Sequence, residues 1–187
     1  MSPVARYLTI NISSPNTPGL RQLQDVGALR DLLSAVDDAR DSGGPPIFLK
    51  VAPDLGEGEP DQIVRAAIQY RIDAIVVSNT TVSRPLLKSR YRDQSGGLSG
   101  EPLKPLALTA LRNFRAASGG EIPLIGVGGI ADAEDAWERI RAGANLVQLY
   151  TAMVYEGPGI ARRLALGLAQ RLARAGFTNI AEAVGTG

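Results

Sequence analysis

The sequence predicts an α/β fold built on a parallel sheet. Three observations carry this: short apolar runs recur along the chain, amphipathic stretches separate them, and glycines and small polar residues collect where the runs end. Strand and helix alternating in this way is the pattern left by right-handed crossovers between parallel strands.

The predicted strands are residues 7–11 (YLTIN), 46–51 (PIFLKV), 73–78 (DAIVVS), 122–128 (IPLIGVG) and 145–150 (NLVQLY). Each is short and apolar on both faces, as expected for strands covered on two sides. Of each alternating pair one residue points inward, with Ile10, Leu49, Val77 and Val127 as examples. The helices between them show apolar stripes at helical spacing. Ile63, Ala67 and Tyr70 form one stripe, and Ala133, Trp137 and Ile140 a second. Ile160, Leu164, Leu168 and Leu172 form a third. Such stripes face a core, and Trp137 belongs to that packing. Two stretches without helical period, residues 12–24 and 79–105, begin at the C-terminal ends of strands. That is where parallel α/β folds place their sites, and loops this long inside a domain are usually functional. Five strand–helix units are compatible with a doubly wound sheet or with an eightfold barrel lacking its first three units.

Composition narrows the chemistry. The chain of 187 residues carries a formal net charge of +1, with acidic and basic residues interleaved, so no basic surface for nucleic acid is expected. It contains no cysteine and no histidine. This excludes disulfides, Cys/His zinc sites and any mechanism that needs a histidine base or a cysteine nucleophile. No metal site is expected. No apolar run is long enough to cross a membrane, and the chain itself is expected to be soluble.

Five strand ends supply polar elements. Gly126-Val127-Gly128-Gly129 follows a strand and precedes a helix for which Asp132 is the expected N-cap. Glycines there let backbone N–H groups approach an anion, although a tight turn without a ligand reads the same way. Residues 145–150 end at Tyr150 and Thr151, and loops after the last two strands of a barrel commonly hold a phosphate. Residues 11–21 (NISSPNTPGLR) crowd small polar side chains between prolines. Lys50 interrupts an apolar run, and burying an unpaired ammonium is unfavourable, so an anionic partner is expected. Ser78-Asn79-Thr80-Thr81 ends the third run, and residues 95–100 (SGGLSG) lie within the long loop.

Taken together, these segments resemble the class 2 dihydroorotate dehydrogenases, the quinone-reducing, membrane-associated type. The resemblance rests on NISSPNTPGLR, FLKVAPDL at residues 48–55, SNTTVSRP at 78–85 and SGGLSGEPL at 95–103. It continues through PLIGVGGI at 123–130 and AGANLVQLYTAMVYEGP at 142–158, in order along essentially the whole chain. It implies an incomplete TIM (β/α)8 barrel, about the last five strand–helix units, and FMN as cofactor. Residues 1–187 then form the C-terminal portion of the barrel. The family's N-terminal membrane-docking helices and first three strands would not precede Met1.

The implied reaction is oxidation of dihydroorotate to orotate in pyrimidine (UMP) synthesis, with electrons passed to a quinone. Ser14 takes the place of the base, where class 1 relatives carry cysteine, and Thr17 that of its proton relay. Asn11, Asn16, Asn79 and Thr80 match residues that hold the orotate ring and carboxylate. Asn11, Lys50, Ser78, Gly100, Gly128, Gly129, Tyr150 and Thr151 match FMN contacts; Ser78 stands where threonine is frequent. The resemblance also implies peripheral attachment of the full-length enzyme to the inner membrane, bacterial or mitochondrial, through the N-terminal segment, with this chain itself soluble and on the cytoplasmic side of a bacterium. Open barrel edges would favour self-association. Two other readings compete: a different FMN- or phosphate-binding barrel, such as the IMP dehydrogenase type, and a non-catalytic half-barrel. The first would want a catalytic cysteine, which is absent; the missing strands favour the second.

Overall fold

Every strand of the sheet pairs with its neighbour in sequence. A computed structural model describes residues 4–85 and 87–187, so Leu86 within the long 79–105 stretch lies outside the described residues. The strands are β1 (Leu8–Asn11), β2 (Ile47–Val51), β3 (Ala74–Val77), β4 (Leu124–Val127) and β5 (Leu146–Gln148), in the spatial order β1-β2-β3-β4-β5. All four pairings are parallel. A doubly wound sheet reverses its strand order partway along. The unbroken order here is that of a barrel segment, with every crossover on the same side.

The helices are α1 (Val26–Asp38), α2 (Glu59–Gln69), α3 (Lys104–Ser118), α4 (Ala133–Arg141), α5 (Thr151–Glu156), α6 (Gly159–Arg174) and α7 (Ile180–Ala183). Short 3-10 turns occupy Leu20–Gln24 and Glu101–Leu103. Side-chain alternation decides what they cover. Leu8 and Ile10 of β1, Leu49 and Val51 of β2, Ile75 and Val77 of β3 and Leu124 of β4 face the helices. They pack against Leu29 and Leu33 of α1, Ile63 and Ala67 of α2, and Leu111 and Phe114 of α3. Phe48, Ala74, Val76, Ile125 and Val127 cluster on the opposite face, where Tyr7 stacks on Phe48 with ring centroids 5.0 Å apart.

Of the four residues given as examples of alternating pairs, Val127 is itself the inward member. Ile10, Leu49 and Val77 occupy the helix-covered face, and the inward position of each pair belongs to its neighbour. The expectation that all strands are apolar on both faces also fails at the edges. β1 has an alternating pattern in which Thr9 and Asn11 are exposed, and Leu146 of β5 is 60% exposed. Each of these strands pairs on one side only among the described residues.

The helix ends follow local chemistry. Asp132 caps α4, accepting from the N–H groups of Glu134 and Asp135, while the Asp135 carboxylate accepts from the Asp132 N–H in return. Trp137 and Ile140 of α4 pack with Phe177 and Ala183, which docks the C-terminal turn α7. Ile160 and Leu164 of α6 pack with Ile130 and Ala136. Among the described residues no helix is long and apolar enough to cross a membrane.

Phe114 is fully buried where α3 meets the sheet. Phe114→Ala should lower the free energy of unfolding by about 3–5 kcal/mol, read from urea denaturation. A loss below about 1 kcal/mol would contradict this packing.

Candidate active site

A cavity of about 870 Å³ opens at the C-terminal rim of the sheet. Nine of the expected site residues line it: Lys50 from the end of β2, Ser78, Asn79 and Thr80 beyond β3, Gly128 and Gly129 beyond β4, Tyr150 and Thr151 beyond β5, and Gly100 from the long loop. The volume is that of a drug- or cofactor-sized ligand.

The glycines after β4 form one end. Gly128 and Gly129 have φ of 111° and 70°. A Cβ on Gly129 would stand 2.4 Å from Lys104 Cα, and one on Gly128 would stand 3.0 Å from Ala107 Cβ. Only glycine lets this turn press onto the start of α3. The Gly128 carbonyl accepts from Arg139 Nη2 at 2.9 Å, and the same nitrogen donates to the Lys104 carbonyl at 2.9 Å. Arg139 is 1% exposed, and its Nε and Nη1 find no partner among the described residues. Nearby, the Lys104 ammonium pairs with Asp135. Thr151 Oγ1 donates to Ser99 Oγ at 3.0 Å, closing the long loop onto the start of α5.

Lys50 marks the other side. Burial pushes its ammonium pKa down, and no charged partner among the described residues offsets the shift. It lies on the helix-free face, two residues beyond Phe48.

Behind this wall sits a polar knot. Ser13 is fully buried. Its Oγ lies 3.0 Å from Asn11 Oδ1 and 2.8 Å from the Lys50 carbonyl, and accepts from Asn79 Nδ2 at 3.1 Å. Asn79 Nδ2 also reaches Asn11 Oδ1 at 3.2 Å. Asn11 thus stands one hydrogen bond behind the cavity. Ser14, Asn16 and Thr17 stand beside it rather than on its wall. Ser14 is half-buried, with Oγ accepting from the Asn16 N–H at 3.3 Å, and Asn16 and Thr17 are exposed. The glycine-rich segment fills the gap: a Cβ on Gly97 would stand 1.9 Å from Thr80 Oγ1 and 3.0 Å from Pro15 Cγ.

Sequence reasoning missed Ser13, Arg21, Asp54 and Arg139. Arg139 carried a signal, since it falls three residues after buried Ala136 and four after buried Asp135 on one helix face. Ser13 carried none that sets it apart from Ser14.

The chain has clear relatives. The family model "Dihydroorotate dehydrogenase" matches residues 1–172. A dihydroorotate dehydrogenase (quinone) of Erythrobacter litoralis is 63% identical over 186 residues, covering 100% of this chain and 54% of that protein. The mitochondrial dihydroorotate dehydrogenase (quinone) of Oryza sativa subsp. japonica is 46% identical, covering 99% of this chain and 41% of that protein. The chain spans about half the length of the curated relatives it matches. The crystal structure of DHODH from Eimeria tenella in complex with ferulenol superposes with a TM-score of 0.92 at 37% identity, over 97% of this chain and 54% of that one. A ligand-free structure of that DHODH gives a TM-score of 0.91 at 38% identity.

The Asp135 carboxyl supplies a pH test. Burial pushes its pKa up, but Lys104 and the N–H groups of Ala131 and Asp132 outweigh burial and hold it below the usual range. A carboxyl with a lower pKa folded than unfolded stabilises the fold above the unfolded value. That contribution is lost as pH falls through the folded value. Unfolding free energy should therefore drop as pH falls below about 4, and Asp135→Asn should make that acid limb shallower. Identical limbs for the two proteins in urea titrations would show that the pair contributes nothing.

Proposed function

From the premise that the chain belongs to the dihydroorotate dehydrogenase family, we propose that its cavity is the FMN site of a quinone-dependent dihydroorotate dehydrogenase of UMP synthesis. One observation carries this reading. The uncompensated ammonium of Lys50 and the side-chain-free backbone of Gly128-Gly129 border one cavity of about 870 Å³ from different strand ends. A flavin mononucleotide has two anion-seeking ends, the phosphate and the pyrimidine edge of the ring, which gathers negative charge on reduction. The residues present fit both: backbone N–H groups for the phosphate and a cation for the ring.

FMN, when bound, would supply the hydride acceptor for C6 of dihydroorotate and the carrier of its electrons to quinone. The chain's own residues do the rest. Lys50 favours the charge that gathers at the pyrimidine edge. Ser78, Gly100, Tyr150 and Thr151 bound the cofactor, and Asn11, Asn16, Asn79 and Thr80 hold the orotate ring and its carboxylate through amide and hydroxyl groups. Ser14 removes the C5 proton. A serine hydroxyl is a weak base, so the proton must pass on, and Thr17 is the assigned relay. A long-chain quinone acceptor partitions into lipid, so the working enzyme would meet it at a membrane surface.

In the FMN-loaded enzyme, Ser14→Ala should slow flavin reduction by dihydroorotate about 10²–10⁴-fold while orotate still binds. Stopped-flow reduction at the wild-type rate would refute the assignment. Lys50→Ala should lower the flavin midpoint potential and weaken FMN retention. A potentiometric titration giving an unchanged potential with FMN fully retained would remove Lys50 from the flavin site.

A further inference from the structure

We infer that Arg21 and Asp54 are a positioning pair that sets the base loop and the Asn79–Thr80 segment against one another. The inference rests on the proposed reaction for its functional meaning, but its geometry stands alone. Arg21 donates in three directions: Nε to the Ser13 carbonyl at 3.1 Å, Nη1 to Asp54 Oδ2 at 2.8 Å, and Nη2 to the Thr80 carbonyl at 2.9 Å. Ser13 precedes Ser14, and Thr80 lines the cavity. Asp54 extends the tie. It accepts from the Thr81 hydroxyl, from the Val82 N–H at 3.1 Å and from Ser83 Oγ at 3.1 Å. One ion pair therefore joins the segments that follow β1, β2 and β3.

Arg21 and Asp54 do not line the cavity, so they act through the groups they hold. Their side chains are 23% and 14% exposed, enough shielding for the pair to be stronger than one on an open surface. Burial raises the Asp54 pKa, yet the Thr81 hydroxyl, Arg21, the Val82 N–H and Ser83 together hold the carboxyl below its usual range, so it is charged at neutral pH. The guanidinium is specific to the task. Its planar fork serves three acceptors on three segments at once, and a lysine ammonium on the same stem cannot span them. The glycine turn after β4 is fixed separately, by Arg139 and the start of α3. Loss of the Arg21–Asp54 pair should therefore affect one side of the site alone.

The test uses Arg21→Lys, which keeps the charge and removes the fork, beside Asp54→Asn. Amide hydrogen exchange of the 187-residue chain should quicken about tenfold or more over residues 12–19 and 79–83, the size expected when charge-assisted hydrogen bonds are lost. Residues 124–131 and 146–151 should keep their protection, and the urea midpoint should stay near that of the parent. Unchanged exchange in the first two segments would overturn the inference. So would a uniform rise across all four with a lowered midpoint, because the pair would then be holding the fold and not the loops. In the FMN-loaded enzyme, the orotate dissociation constant should rise about tenfold with FMN affinity unchanged. If the parent enzyme binds no orotate, the proposed reaction fails while the exchange result still decides the role of the pair.

Discussion

The site exists because the strands run parallel and every crossover returns on one side. That single constraint sends the C-terminal end of each strand to the same rim. Period-two alternation then does the sorting. At β2 the residues Ile47, Leu49 and Val51 are committed to the helix-covered core, while Phe48 and Lys50 take the other face. A charged residue can occupy an apolar strand only on that second face, and only near the rim, where the cavity opens. The position of Lys50 follows from the pleat before any ligand is considered.

The two ends of the cavity are held by different physics. The turn after β4 is fixed by close approach: positive-φ glycines pressed against α3, with Arg139 gripping the Gly128 carbonyl from behind. Nothing there can be enlarged without moving backbone. The end near β1 is held by hydrogen bonds among Asn11, Ser13, Asn79 and the Lys50 carbonyl. Ser13 is the buried member of this network, where an unsatisfied hydroxyl would be costly, so Ser13, and not the more exposed Ser14, anchors the serine pair.

Much of this was legible in the sequence. The five runs, the stripe through Ile63 and Ala67, the Asp132 cap and the glycines after β4 were readable because each is a local pattern with a local cause. The last strand was read too long: Leu149 and Tyr150 leave β5 (Leu146–Gln148) to start the turn into α5. Inward and outward faces were not readable where both members of a pair are apolar, as with Ile10, Leu49 and Val77, since only the side on which the helices lie breaks that symmetry. The charged residues Arg21, Asp54 and Arg139 were missed because charges on an amphipathic chain are normally solvated. Arg21 and Asp54 pair with each other, and the other partners are backbone groups and hydroxyls from distant segments, which leave no mark in the local sequence.

With a formal net charge of +1, the proposed recognition of a phosphate would rest on local groups rather than on net charge. Arg139 is almost fully buried, and two of its nitrogens have no partner among the described residues. Its contacts are the carbonyls of Gly128 and Lys104, and burial lowers its pKa against the upward pull of Glu138 and Asp135. A guanidinium bound to a carbonyl polarises the peptide unit it grips and makes the following N–H a better donor. That unit is the Gly128–Gly129 link at the cavity edge. Lys50 works from another strand end by the opposite route, as a cation left without a carboxylate among the described residues. One charge acts through a backbone dipole and the other at the cavity wall, and neither forms a salt bridge with an acid among the described residues. Placement and desolvation, rather than the number of charges, set the local potential.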